Sequence, residues 1–406
     1  MQRLHDDSSR MLGYIEGLLS YKNTQNFVLL NPGPVMTTPK VKAALIHHDM
    51  CHRDEDFSDL VRNLRIKLKK VFKGNENHEV VIITGSGTSG IEATIASTVP
   101  RDKKVLVIVN GAFGERYVEV ANVHDMDIVE LNFGWKNTVD VQAVEDAIAA
   151  DPEIACVMMA HHETSTGILN PIHEIGEICH RYNRIFMVDA VSSLGAEELD
   201  VVEDHIDVCL SSANKAIHAI AGVAFVCISN RAWEVINNNK PRLYYLDLRR
   251  YRKYAVSIEQ TPFTPAVSNF FALDAAVDEL LETTVEGRWA IYRERNEYIR
   301  ENFRGMGLSF LTQTGSESHG VTVIEVPEYI KFSHLYNTMK SFGFIIYGCK
   351  DELEDKYFQI SNMGDLPRET IDTFLNTLRF VLLKSKSEYT GSVEEFSSAI
   401  ISAVEK

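Results

Sequence analysis

Short, continuously apolar runs recur through the middle of the chain, each followed by a stretch with helical spacing. The strand candidates are Val80–Thr84, Val105–Val109, Ile128–Leu131, Cys156–Ala160, Ile185–Val188, Val208–Leu210 and Val223–Ile228. Most lack polar alternation, which predicts strands covered on both faces. Strands alternating with helices predict a mainly parallel α/β sheet of about seven strands, because parallel neighbours need crossover connections. Upstream, Met11, Ile15, Leu18 and Leu19 are spaced like a short amphipathic helix in an N-terminal arm. Leu29-Leu30-Asn31-Pro32-Gly33-Pro34 then excludes a helix, since two prolines lack the amide donor. Residues 39–49 and 57–73 read as helices, the second with Leu60, Leu64, Leu68 and Val71 in register. Residues 230–275 read as irregular, with a basic, tyrosine-rich stretch at Leu243–Tyr254. Beyond them the pattern predicts helices at 273–283, 289–304, 332–342 and 367–385, strands at 321–326, 344–346 and 357–360, and a last short helix at 392–404. The expected organisation is an arm (1–28), a large α/β domain (29–276) and a smaller C-terminal α+β domain (277–406). No Gly/Ser-rich linker separates them, so close packing is expected.

The chain has 406 residues, 45% hydrophobic and 24% charged, which is ordinary for a globular protein and excludes a disordered or collagen-like chain. The 41 basic against 57 acidic residues give a net charge of −16, which disfavours nucleic acid as a partner. Apolar runs such as Val105–Val109 are far too short for a membrane span, and the polar, charged start Met1–Arg10 does not resemble a signal peptide. The six cysteines (51, 156, 179, 209, 227 and 349) form no CxxC pair. They read as free thiols in a reducing, cytoplasmic setting, with no cysteine-based zinc site and no metal expected.

Three features carry candidate chemistry. Gly85-Ser86-Gly87-Thr88-Ser89-Gly90 joins an expected strand to an expected helix, an arrangement that makes an anion site from backbone amides and the helix dipole. The segment also matches GxGxxG, but the next strand ends in Asn110-Gly111 and not in the acidic residue a dinucleotide ribose would want. A structural turn with a capped helix is the plain alternative. Asp189 ends an apolar strand, where a carboxylate needs a partner; it could equally cap the next segment. Lys215, in Ser211-Ser212-Ala213-Asn214-Lys215, follows another strand. It is either a surface lysine or a desolvated nucleophile. Anion turn, carboxylate and lysine on one sheet edge are the set a phosphorylated pyridine aldehyde requires. Phe113 is placed to cover the ring.

Taken in order, these segments resemble the class V, fold-type I family of pyridoxal-phosphate aminotransferases. The matching stretches are Leu30-Asn31-Pro32-Gly33-Pro34, Gly85-Ser86-Gly87-Thr88, Asn110-Gly111-Ala112-Phe113-Gly114, Glu163-Thr164-Ser165-Thr166-Gly167, Val188-Asp189-Ala190-Val191-Ser192-Ser193, Ser212-Ala213-Asn214-Lys215 and Thr261-Pro262-Phe263-Thr264-Pro265. Within the family, the branch acting on 2-aminoethylphosphonate and pyruvate is most similar, followed by the alanine–glyoxylate and serine–pyruvate branches. The resemblance implies roles. Lys215 would hold pyridoxal 5′-phosphate covalently and act as the catalytic residue. Asp189 would pair with the pyridine nitrogen. Ser86, Gly87 and Thr88 would bind the phosphate. Phe113 and Val191 would cover the two ring faces, and Thr164 would reach the ring hydroxyl. Thr264 would contact the phosphate in the neighbouring subunit, which implies a homodimer with shared sites. His161 and His162 precede the Glu163 loop and are either substrate contacts or packed side chains.

One position departs from the family. Its arginine for the substrate carboxylate is replaced here by Gln359, in Phe358-Gln359-Ile360-Ser361-Asn362-Met363-Gly364. Glutamine cannot form a charged bidentate pair. Arg53, or the cluster Arg249, Arg250 and Arg252, is the expected substitute. The same departure leaves a pyridoxal-phosphate lyase open beside a transaminase that uses a small amine and a keto acid. A non-catalytic binding member is disfavoured by the presence of both Lys215 and Asp189.

Overall fold

The computed structural model describes residues 27–312 and 314–390. The helices expected in the arm and at 392–404 lie outside the described residues. A seven-stranded sheet is built from β1 (His78–Thr84), β2 (Lys104–Val109), β3 (Asp127–Asn132), β4 (Ile154–Ala160), β5 (Ile185–Asp189), β6 (Val208–Ser212) and β7 (Val223–Ser229). Their spatial order is β1-β7-β6-β5-β4-β2-β3. Neighbours from β6 to β3 pair in parallel, whereas β7 is antiparallel to both β1 and β6. Strand β1 therefore runs with the parallel set. The C-terminal ends of β1, β2, β4, β5 and β6 share one edge, where open α/β sheets bind ligands.

The lack of polar alternation has the expected cause. Val80, Ile82, Leu106, Ile108, Val157 and Met159 enter one core layer, and Val81, Ile83, Val105, Val107, Cys156 and Met158 enter the layer on the opposite face. Helix Glu55–Val71 covers the first face with Phe57, Val61, Leu64, Leu68 and Val71. Helix Gly87–Thr98 covers the second with Ile91 and Ile95. Among the described residues, no helix is long and apolar enough to cross a membrane.

The stretch 230–275 is not irregular. Helix Asn230–Asn238 is capped by the Ser229 hydroxyl, which accepts from the Ala232 amide. Helix Leu248–Ser257 is capped by the Asp247 carboxylate, which accepts from the Arg249 amide. Helix Val267–Glu282 follows. The Leu248 helix buries only Leu248, Tyr251 and Ala255, and that narrow stripe is diluted by the arginines between.

Beyond the long helix Val285–Gly305, β8 (Val321–Glu325) and a short strand Tyr347–Gly348 flank β9 (Tyr357–Ser361) in an antiparallel sheet. The strand expected near 344–346 is present as Phe344–Ile345 but pairs with Val28–Leu29 in parallel. Helices Phe332–Ser341 and Arg368–Thr390 cover this part. Its core joins Phe303, Ile324, Leu335, Phe358, Phe374 and Leu378 with Leu30 from the other end of the chain.

Candidate active site

The turn after β1 leads into helix Gly87–Thr98 with Ser86 as N-cap residue, in extended backbone conformation (φ −78°). The Ser86 side chain makes no capping bond, so the first amides of this 12-residue helix have no side-chain acceptor. Ser86 and Thr88 are exposed. A Cβ on Gly87 would lie 3.1 Å from Val191 Cγ2, which brings the turn after β1 against the turn after β5. The arrangement offers a compact anion free amides and two hydroxyls.

Asp189, at the end of β5, is buried. Its Oδ1 accepts from the Val191 amide at 2.8 Å and its Oδ2 from the Tyr117 hydroxyl at 2.8 Å. Burial raises the Asp189 carboxyl above its usual range, opposed by those two donors and by the charges of Arg116 and Lys215. Tyr117 is fully buried and pushed well above 10, so it keeps its proton and donates.

Lys215 lies three residues beyond β6, the neighbour of β5. Burial lowers its amine from 10.5 to about 8, with the nearby Asp189 opposing and Arg116 assisting. The Lys215 Nζ donates to the Pro32 carbonyl. Gly33 sits against the same side chain at φ +124°, and a Cβ there would lie 2.6–2.8 Å from Lys215 Cδ, Nζ and Cε. The positive φ favours glycine, and a side chain here would also push the end of Lys215 aside. A cavity of about 500 Å³ opens beside Gly33, walled by Asn31, Pro34, Phe332, Tyr336 and Tyr347.

The loop after β4 is organised by Glu163, a buried carboxylate that accepts from the amides of Phe113 (3.1 Å), Gly114 (3.2 Å) and Ser165 (3.2 Å) and from the Ser165 hydroxyl (2.5 Å). It caps helix Ala112–Val123 and so fixes Phe113 at the helix start. Burial pushes Glu163 up to about 7 against those bonds. Thr164 Oγ1 and Ser192 Oγ are hydrogen-bonded at 2.7 Å, tying this loop to the turn after β5. His161 and His162 are buried and held neutral, lowered to about 3 and about 4 by burial.

Gln359, on β9, is buried and donates its amide to the carbonyls of Thr164 (2.8 Å) and Ser165 (3.0 Å). Glutamine here clamps the loop. The expected substitute cations are engaged elsewhere. Arg53 donates to Gln260 Oε1, the Thr261 carbonyl and the Pro262 carbonyl, holding the loop that presents exposed Thr264. Arg249 pairs with Asp247, Arg252 with Glu79 through two nitrogens, and Arg250 lies over the Tyr244 ring. Arg116, one helical turn after Phe113 and stacked on its ring at 4.8 Å, acts electrostatically on both Asp189 and Lys215. Sequence reasoning missed Arg116, Tyr117 and the capping role of Glu163; the i+3 and i+4 spacing from Phe113 was the available signal.

The lowered lysine has a consequence for stability. Between about 8 and 10.5 the unfolded chain binds a proton at Lys215 that the folded chain does not, so stability rises with pH across that window. In cofactor-free protein, Lys215→Met should therefore be more stable than wild type at pH 7, by about 3 kcal/mol of titration free energy. The difference should shrink towards pH 10. Urea unfolding at pH 7 and 9.5 measures it, and parallel pH dependences in the two proteins would refute the lowered amine.

The profile of the aminotransferase class-V family matches residues 39–339. An uncharacterized aminotransferase of Methanocaldococcus jannaschii is 35% identical over 339 residues, covering 83% of this chain and 88% of that protein. The 2-aminoethylphosphonate–pyruvate transaminase of Salmonella typhimurium is 33% identical over 368 residues, covering 89% of this chain and 100% of that one. The solved alanine–glyoxylate aminotransferase of Nostoc sp. superposes with a TM-score of 0.85 at 25% identity, covering 89% and 97%. With the β1 turn, Asp189 and Lys215 on one sheet edge, the chain belongs to the class V aminotransferases, enzymes of the fold-type I group that work with pyridoxal 5′-phosphate.

Proposed function

We propose that this enzyme moves the amino group of 2-aminoethylphosphonate, or a similar small amine, to pyruvate, giving phosphonoacetaldehyde and alanine. The observation that carries an amino transfer is the buried pair at one edge: Lys215 with a lowered pKa beside the carboxylate of Asp189. The donor set fits the cofactor. The uncapped helix start at Ser86, Gly87 and Thr88 suits its phosphate, Phe113 and Val191 its ring faces, Thr164 its ring hydroxyl, and Asp189 its ring nitrogen. Bound there, pyridoxal phosphate supplies an electron sink. Asp189 would keep a proton on the ring nitrogen. Lys215 would hold the cofactor and would be the base that takes the proton from the substrate's amine-bearing carbon. Its lowered pKa leaves a neutral fraction near pH 7 for that work. The Pro32 carbonyl and Gly33 direct Nζ. Thr264, exposed on its loop, is assigned to the phosphate in the partner subunit of a homodimer. Cytoplasmic residence belongs to the same reading, supported by six free cysteines.

The phosphonate branch is supported by the 33% identity across the full length of the Salmonella transaminase, and an alanine–glyoxylate type of exchange is the neighbouring alternative. A lyase is favoured by one observation, the commitment of Gln359 to the Thr164 and Ser165 carbonyls where a guanidinium would be expected for a keto acid. The visible spectrum of the purified, cofactor-loaded protein separates these readings. The yellow band should bleach with 2-aminoethylphosphonate and return with pyruvate. Bleaching by another amine instead removes the phosphonate assignment, and turnover without any keto acid establishes the lyase.

A further inference from the structure

The turn that carries Lys215 is closed by His218, whose amide donates to the Lys215 carbonyl at 2.9 Å. His218 is held at φ +64°, a left-handed conformation that is costly for a non-glycine residue and persists only where surroundings enforce it. Those surroundings are specific. Nδ1 of the buried imidazole faces Arg288 Nη1 at 3.1 Å, and Nε2 faces the Tyr292 hydroxyl at 2.5 Å. The Gly364 amide lies 3.0 Å from Nε2 and 3.4 Å from Tyr292 Oη. Nδ1 faces only a donor in Arg288, whereas Nε2 is held between the Tyr292 hydroxyl, which can give or take a proton, and the Gly364 N–H, which donates to it. The same Gly364 N–H also reaches the phenol oxygen, at the longer 3.4 Å. Burial and the charges of Arg288 and Arg295 hold the ring neutral.

Arg288 and Tyr292 belong to helix Val285–Gly305, and Gly364 follows β9, the strand that carries Gln359. One imidazole thus joins three pieces: the lysine turn, the long helix and the end of the strand that clamps the Thr164 loop. The packing agrees, since Ala216, Tyr292 and Met363 share a small core cluster. We propose that His218 is a positioning residue, fixing the Lys215 turn to Tyr292 and the Gly364 loop so that the amine and the β9 strand keep one geometry. The proposal rests on Lys215 as the cofactor-holding residue and is independent of which amine is the substrate.

The test is the rate at which cofactor-free protein captures pyridoxal 5′-phosphate, read as borohydride-trapped adduct on the Lys215 peptide. His218→Leu and Tyr292→Phe should each slow capture about tenfold, as expected for a misplaced nucleophile. His218→Gln, which can still present a side-chain N–H to Tyr292, should stay within about threefold of wild type. A role confined to stability would lower the melting temperature of all three without this ranking. Capture at the wild-type rate in both His218→Leu and Tyr292→Phe overturns the proposal. Should His218→Leu not fold, Tyr292→Phe, which deletes one oxygen, decides alone. Lys215→Met must trap no adduct at all. If it does, the premise about Lys215 falls and the proposal with it, a result distinct from any failure of the phosphonate reading.

Discussion

Replacing Lys215 with alanine should abolish amino transfer, lowering kcat by about 10³–10⁴-fold, the scale of a lost positioned acid–base group. On the proposed roles, two functions would vanish together in that variant, the covalent hold on the cofactor and the proton carrier. The surroundings should survive, because the Lys215 side chain makes one hydrogen bond, to the Pro32 carbonyl, and otherwise packs against Gly33. The Ser86–Thr88 turn is untouched, so non-covalent loading with pyridoxal phosphate should persist without the wild-type visible band. Lys215→Arg should fail as well, since a guanidinium stays protonated and cannot act as a nucleophile. Rapid-mixing assays with loaded enzyme and a large excess of amine measure the residual rate. Activity in Lys215→Ala above about one part in a hundred of wild type would assign the proton transfer to another group.

The sheet was legible because both of its faces are buried. A strand such as Cys156–Ala160 has no solvent side, so its sequence carries no polar alternation and its continuity is itself the signal. The helices within 230–257 were not legible for the opposite reason. Their buried residues form thin stripes, and Arg249, Arg250 and Arg252 mask the second stripe while making contacts of their own with Asp247, Tyr244 and Glu79. The strand segments Phe344–Ile345 and Val28–Leu29 pair across most of the chain, a partnership that local patterning cannot express.

The site divides similarly. Backbone-dominated features, the glycine turn and the residues ending β5 and near the end of β6, sit where a strand meets a turn, and that junction is visible in sequence. Side chains that reach the site from elsewhere are not. Tyr117 and Arg116 lie inside a helix, and their only local signal is the spacing of three and four residues from Phe113, which any helix position that far on would share. Arg53 shows how a cation near an expected site can also carry a local structural task. A cation near an expected site suggested a substrate contact, and its contacts with Gln260, Thr261 and Pro262 bind it to a loop. The positive field at Lys215 and Asp189 comes from Arg116.

Asp189→Asn should be nearly as damaging as loss of the lysine while leaving the fold intact, and that combination isolates the charge. The isosteric amide can accept the Val191 amide through its oxygen and donate to Tyr117 Oη through its nitrogen, so both local bonds survive in altered polarity. What disappears is the anion facing Lys215 and Arg116. In a buried site such a charge is worth far more than at the surface, and kcat should fall about 10²–10³-fold, the scale of losing one preorganised electrostatic partner. The lysine should respond too. Asp189 holds the Lys215 amine up against burial, so in Asp189→Asn its pKa should move further below about 8. Tyr117→Phe makes the complementary test. It keeps the carboxylate but removes a donor, so the Asp189 carboxyl should rise and kcat should fall only about tenfold, the scale of one hydrogen bond to a charged group. Measuring kcat for both variants across pH 6 to 9 gives the ordering. Should Asp189→Asn fold and turn over like wild type while Tyr117→Phe is impaired, the chemistry would depend on the phenol and not on the buried charge, and the role given to Asp189 would pass to Tyr117.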